Sequence, residues 1–199
     1  AGLLVRTLQH AQSTDLGFDQ KNLLVLSMDL TTQGYDEARA ATLYAQLGER
    51  LKASPVISSV SLAEVAPFSG ARETTIDIEN RGSSLSVGAN MVSAEYFQTL
   101  GIPVRRGRQF TEAEARSGAS PAVISQAMAN RFWPGVDPIG QRFKESAGPS
   151  HEIIGVVADI SSRQVGKFDG PLFYTPAPPA KLSGLSFVLR ANGNVPAHR

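Results

Sequence analysis

An α+β fold is what this sequence predicts, and three observations predict it. Leu24, Leu26, Met28 and Leu30 alternate with polar Ser27 and Asp29, the period of a half-buried strand. Residues 36–52 then place Ala40, Leu43, Tyr44, Leu47 and Leu51 on one helical stripe, and VISSVSLAEVAPF returns to strand character, so the first third reads β-α-β. A parallel pair joined by a right-handed crossover is the default for that pattern. Beyond PFSGARE the chain changes to short alternating strands mixed with short helices.

The elements follow in order. AGLLVRTLQHAQ reads as a helix with Leu4, Leu8 and Ala11 near helical spacing, begun without a cap, as in a piece of a longer chain. STDLGFDQKN is a loop, LLVLSMDL the first strand, TTQGY a turn. The helix over Asp36 to Lys52 is stopped by Ser54-Pro55. TTIDIEN and LSVGANMV, joined by RGSS, form an antiparallel pair. Ser93 is read as the N-cap of a short helix that Gly101 ends. Thr111-x-x-Glu114 is a capping box. PAVIS is a short strand, and Ser125 caps a helix to Trp133 in which Met128/Phe132 and Ala129/Trp133 are i, i+4 pairs. Pro134-Gly135 stops that helix, and DPIGQRF turns into an extended segment. HEIIGVVADI is a nearly continuous apolar run, the mark of a strand covered on both faces. PLFYTPAPP and LSFVLRA are the last strands.

The chain has 199 residues, 42% of them apolar, enough for one sizeable domain or two small ones. Nineteen basic residues against eighteen acidic ones give a net charge of +1, which is no footprint for nucleic acid. There is no cysteine, which removes disulfides, thiol catalysis and cysteine-ligated zinc. No apolar run is long enough to cross a bilayer, and no signal peptide is present.

The sequence assembles no catalytic, cofactor or metal site. His10, His151 and His198 each lack a partner at metal-binding spacing and read as surface or edge histidines. No nucleophile elbow, phosphate-binding loop or dinucleotide fingerprint occurs. Glu112 and Glu114 stand in the first turn of a helix, where its dipole favours negative charge. Asp159 ends an apolar strand and is the one isolated carboxylate with an active-site look; capping a loop is the commoner role. In GIPVRRGR the glycines flank an extended Ile-Pro-Val instead of converging on a helix N-terminus, so Arg105, Arg106 and Arg108 read as a structural turn before Phe110.

MVSAEYFQTLGIPVRRGRQFTEAE, AVISQAMANRFWPGVDPIGQRF, HEIIGVVADI and PLFYTPA, in that order, resemble the extracytoplasmic core domain of MacB/FtsX-type ABC transporter permeases. The match covers nearly the whole chain. The resemblance implies a porter-like β-α-β module with an inserted mixed α/β lobe. Residues 1–20 would continue a membrane helix and then loop. Residues 21–70 and 171–199 would form the porter-like part, truncated at its C-terminal side, and 71–170 the inserted lobe. Its structural signature falls on Tyr96, Phe97, Gly101, Gly107, Arg108, Phe110, Phe132, Trp133, Pro138, Gly140, Gly155 and Asp159. The implied role is non-catalytic: coupling ATP hydrolysis in a separate cytoplasmic domain to conformational change outside a bacterial inner membrane, for export or mechanotransmission. Implied partners are the permease's own transmembrane helices, a cytoplasmic ATPase, a second permease copy and, in some members, a periplasmic adaptor. The alternative is an extracytoplasmic ligand-binding or sensor domain; a hydrolase built on Asp159 ranks below both. Both ends of the chain are expected at one membrane-facing pole, with Leu26 and Phe187 in the same sheet.

Overall fold

Alternation in LLVLSM serves two cores at once. In the computed structural model, which describes residues 3–7, 15–28, 30, 35–70, 72–78, 81–162 and 169–193, the first two strands are β1 (Leu3–Thr7) and β2 (Leu23–Met28). Leu23 and Val25 are buried on one face of β2, while Leu24, Leu26 and Met28 pack on the other. The strand is therefore sandwiched, not half-buried as expected. Helix α1 (Glu37–Lys52) supplies one cover and strand β3 (Ile57–Ala63) follows it. Asp36 caps α1 by accepting from the Arg39 amide at 2.8 Å, satisfying one orphan donor of the first turn.

The rest of the chain runs β4 (Arg72–Ile78), β5 (Arg81–Val92), α2 (Tyr96–Leu100), β6 (Val104–Gly107), α3 (Glu112–Ser117), β7 (Pro121–Ser125), α4 (Gln126–Phe132), β8 (Arg142–Glu145), β9 (Ser150–Val157) and β10 (Leu172–Pro176). A 3-10 turn at Pro179–Gly184 leads into β11 (Ser186–Ala191).

β2 and β3 are parallel to each other, as the crossover through α1 requires, but they do not pair. β11 lies between them, antiparallel to both, with Phe187 opposite Leu26 on one side and Leu62 on the other. Leu26 and Phe187 thus share a sheet, as expected. The module is a split β-α-β, and its α1 face is closed by Tyr44 stacked on Phe187 at 5.3 Å between ring centroids. The opposite face meets the larger core of Leu23, Val25, Phe97, Leu100 and Val188.

The sheet continues through Ala63, which pairs with Val92. From β5 the order is β10, β7, β9, β8 and β4, and β4 pairs back onto β5. These six strands close on themselves, which removes their free edges. The ring is filled by Ile76, Ile124, Phe143, Ile153, Val156 and Phe173, and α4 adds Met128, Phe132 and Trp133 to the same core. RGSS belongs to strand β5 and not to a turn. β10 belongs to this ring, while β11 belongs to the split module.

One expectation about the first residues is corrected. Leu3–Thr7 is strand, not helix: it pairs antiparallel with β2, from Leu3 opposite Met28 to Thr7 opposite Leu24. The edge of β2 offers this segment backbone partners, and that tertiary pairing overrides the weak helical spacing of its leucines. β1 also runs in the same direction as β11, so Leu3 and Ala191 sit at opposite ends of the three-strand ribbon. The rest of the expected first helix, and the chain ends at 1–2 and 194–199, lie outside the described residues.

Candidate functional site

The segment from Ser93 to Glu114 joins the split module to the closed ring, and its residues pack from the inside out. Tyr96 and Phe97 are fully buried in α2. Phe97 is the hub of an aromatic group, with ring centroids 5.8 Å from Tyr96, 5.9 Å from Phe110 and 5.0 Å from Tyr174. Edge-on contacts of this kind add to the burial of the rings. Burial pushes the phenols of Tyr96 and Tyr174 well above their ordinary range, with Asp169 adding to the effect. Gly101 ends α2 in the left-handed conformation, as expected of a C′ glycine. Ser93 is not the cap: Glu95 takes that position, and the Ser93 hydroxyl accepts from the Leu62 amide instead. A strand partner outcompetes the helix end for that oxygen.

After Pro103 the chain becomes strand β6 and pairs with β9. Gly107 faces Gly155 there. A Cβ on Gly107 would stand 2.2 Å from the Ile154 carbonyl oxygen, and one on Gly155 would stand 2.1 Å from that of Arg108. Arg108 then turns back to Glu114 with two hydrogen bonds of 2.9 and 2.8 Å. Glu114 also accepts from the Thr111 amide, and Thr111 accepts from the Glu114 amide, completing the capping box of α3. The Arg108 hydrogen bonds, helped by Thr111, hold the Glu114 carboxyl at about 2, against 4.5 for the free group. So Arg108 pins the turn before Phe110. Arg106 reaches Asp137 at 3.9 Å, an exposed contact of little weight.

The second half of the signature lines the ring. The Ser125 hydroxyl accepts from the Met128 amide, capping α4, and from the Leu172 amide of β10. Phe132 and Trp133 are buried, their rings edge-on at 6.2 Å. Pro138 is buried, and the Gly140 amide donates to Ile153 across the turn. The Asp159 carboxylate accepts from the Ala127 amide at 2.7 Å and so serves the first turn of α4.

Two polar knots escaped sequence reasoning. The Arg190 guanidinium donates to the carbonyls of Thr99, Asp19 and Lys21 and pairs with the Asp19 carboxylate at 3.0 Å, lacing β11 to α2 and the loop before β2. His151, expected at a surface or edge, is buried at 3% exposure. It stands between Phe143 and Phe173, with one ring nitrogen 3.1 Å from Glu145 and the other 3.3 Å from the Ser120 carbonyl. Glu145 also receives Arg72 at 3.2 Å, and Arg72 reaches Glu64 at 3.7 Å. Apart from His151–Glu145, His151–Phe143 and Arg72–Glu64, the partners of these side chains are distant in sequence, and none of the contacts falls at a helical or turn spacing that announces it. His10 and His198 lie outside the described residues.

These contacts tie α2, β6, β9, β11 and α4 to one another by hydrogen bonds and packed rings. Among the described residues no group of three or more histidines and carboxylates could hold a metal ion, and no helix is long and apolar enough to cross a membrane.

The same fold occurs in solved structures. The periplasmic region of MacB from Actinobacillus actinomycetemcomitans superposes with a TM-score of 0.57 at 18% identity, covering 77% of this chain and 66% of that one. The extracellular domain of the noncanonic ABC-type transporter YknZ from Gram-positive bacteria gives 0.55 at 17% identity, covering 86% and 82%. In sequence, a probable export ATP-binding/permease protein of Pseudomonas fluorescens is 39% identical over 80 residues, 40% of this chain. The probable syringafactin export ATP-binding/permease protein SyfD of Pseudomonas syringae pv. tomato is 34% identical over 83 residues, 41% of this chain. Each alignment spans 12% of the relative's length. Residues 2–196 match the MacB-like periplasmic core domain; the chain belongs to that family, the extracytoplasmic domain of MacB-like ABC transporter permeases.

Proposed function

We propose that this domain couples ATP hydrolysis on the cytoplasmic side to conformational change outside a bacterial inner membrane, without chemistry of its own. The observation that carries the reading is the short β3–β5 contact, the Ala63–Val92 register pair flanked by the Glu64–Met91 and Ser93–Leu62 backbone hydrogen bonds, through which the split β-α-β module continues into the closed ring. A closed ring joined to a sheet by a short strand contact and one shared apolar core suits transmission of motion better than substrate turnover. In this reading residues 71–170 plus β10 make the inserted lobe, the remainder is porter-like, and the signature from Tyr96 to Asp159 keeps the two registered. The partners are the permease's own membrane helices, a cytoplasmic ATPase, a second permease copy and a periplasmic adaptor.

The test is a distance measurement in the full transporter. A spin label at exposed Lys144 reports the separation between two permease copies by double electron–electron resonance. Trapping the ATPase in its nucleotide-bound state should shift that distribution. An identical distribution in both states would sink the coupling reading, and the absence of any dipolar signal would remove the dimer.

A further inference from the structure

We propose that a groove beside α1 is a binding site for a hydrophobic monocation, an alkyl or aryl ammonium compound. The groove encloses about 500 Å³, within the range of about 300–1,000 Å³ usual for small-molecule sites. Its floor is apolar, made by Tyr44, Leu62, Leu182 and Phe187. Along the α1 wall, Ala41, Ala45 and Gly48 lie one helical turn apart and keep the groove open between Tyr44 at its floor and Glu49 and Lys52 at its rim.

Gly48 is the informative residue. Glycine inside a helix costs about 1 kcal/mol relative to alanine. A methyl group there would meet its nearest neighbour, the Phe187 ring, at 3.7 Å, an ordinary contact. Packing of the domain therefore gives no reason for glycine at this position. What it leaves is volume on the groove side of the helix.

The charges around the groove give the sign of the ligand. Glu49 is paired with Lys52 at 3.8 Å on one rim, and Glu112 with Arg116 at 3.2 Å on the other. Glu95 also lines the groove, half-buried, and its carboxylate has no ion pair or hydrogen bond among the described residues. Its backbone is fixed at the start of α2, where its carbonyl accepts from the Thr99 amide. An apolar cleft with one carboxylate that no described side chain pairs favours an apolar body carrying one positive charge. An anionic amphiphile would meet Glu95 unpaired, and a neutral one would leave it so. The inference does not depend on coupling to an ATPase, and its test uses this chain alone.

Calorimetric titration with octylammonium, octanol and octanoate discriminates the cases. Octylammonium should bind at least about tenfold more tightly than octanoate, a difference of about 1.4 kcal/mol. Glu95→Gln should abolish that preference while keeping the affinity for octanol. Gly48→Leu, which fills the groove, should weaken all three ligands. Methyl shifts of Ala41 and Ala45 in NMR spectra of the unsubstituted chain locate the bound ligand whether or not Gly48→Leu folds. The proposal is overturned if octanoate binds as well as octylammonium, if Glu95→Gln keeps the preference, or if no ligand moves the Ala41 and Ala45 methyls. A concentration-dependent dimer in sedimentation that Gly48→Leu abolishes would assign the groove to a second copy instead, and overturn it equally.

Discussion

Gly107 and Gly155 are register partners across the β6–β9 pair, and each occupies a place where a side chain would strike a backbone carbonyl of the opposite strand. Gly107 also has a φ of +67°, in the left-handed region. Gly155→Ala leaves no escape, because the obstacle is main chain in a sheet. Either alanine substitution should destabilise the domain by about 2–4 kcal/mol. Urea unfolding followed by circular dichroism measures it; an unchanged midpoint would mean that β6 can move away freely.

The Arg108–Glu114 pair makes a pH-dependent contribution. The folded-state carboxyl is held at about 2, below its free value of 4.5. A depressed acid contributes stability that is present above the unfolded value and lost as pH falls through the folded one. The window therefore runs from about pH 4.5 down to about pH 2. Arg108 is 56% exposed, so solvent screening limits the contribution to about 1 kcal/mol. Glu114→Gln retains a capping-box side chain at that position and should lower stability by that amount at neutral pH. The difference from the unsubstituted chain should shrink as both are titrated toward pH 2. A constant difference across the range would assign the effect to the cap instead of the charge.

Trp133 reports on the ring core. It is the sole tryptophan and is 7% exposed. Its fluorescence should be blue-shifted in the native chain and move to the red on unfolding. Trp133→Ala should cost about 3–5 kcal/mol, the loss expected for a buried aromatic. Native emission already at the unfolded wavelength would contradict this packing.

Arg190 joins three backbone carbonyls and one carboxylate. Arg190→Ala strands acceptors that only a charged fork satisfies, and about 2 kcal/mol should be lost. Arg190→Lys should recover only part of it, since an ammonium cannot reproduce the planar donor geometry. Equal stability of the lysine and arginine forms would show that charge alone suffices.

Gly48→Ala should raise stability by about 0.5–1 kcal/mol, through helix propensity and a less flexible unfolded chain. The new methyl has room beside Phe187. A thermal melt of both forms settles the sign, and a loss of stability would mean that the groove wall is tighter than its geometry indicates.

What the sequence determined by itself lies within one helical turn. Thr111 with Glu114, Ser125 before α4 and Gly101 after α2 all act on groups three or four residues away, so spacing alone reveals them. The order of motifs also carried the family. Tertiary structure decided the rest. Ser93 looked like a cap, but its hydroxyl serves the Leu62 amide 31 residues away. Residues 3–7 read as part of a helix, and the open edge of β2 made them strand. His151 carries no neighbouring pattern, yet closing six strands into a ring sealed it between Phe143 and Phe173. β11 sits between β2 and β3 because backbone donors and acceptors must be paired across the sheet, whatever their separation along the chain. Local propensity cannot encode such pairing, since its partners meet only once the chain has folded.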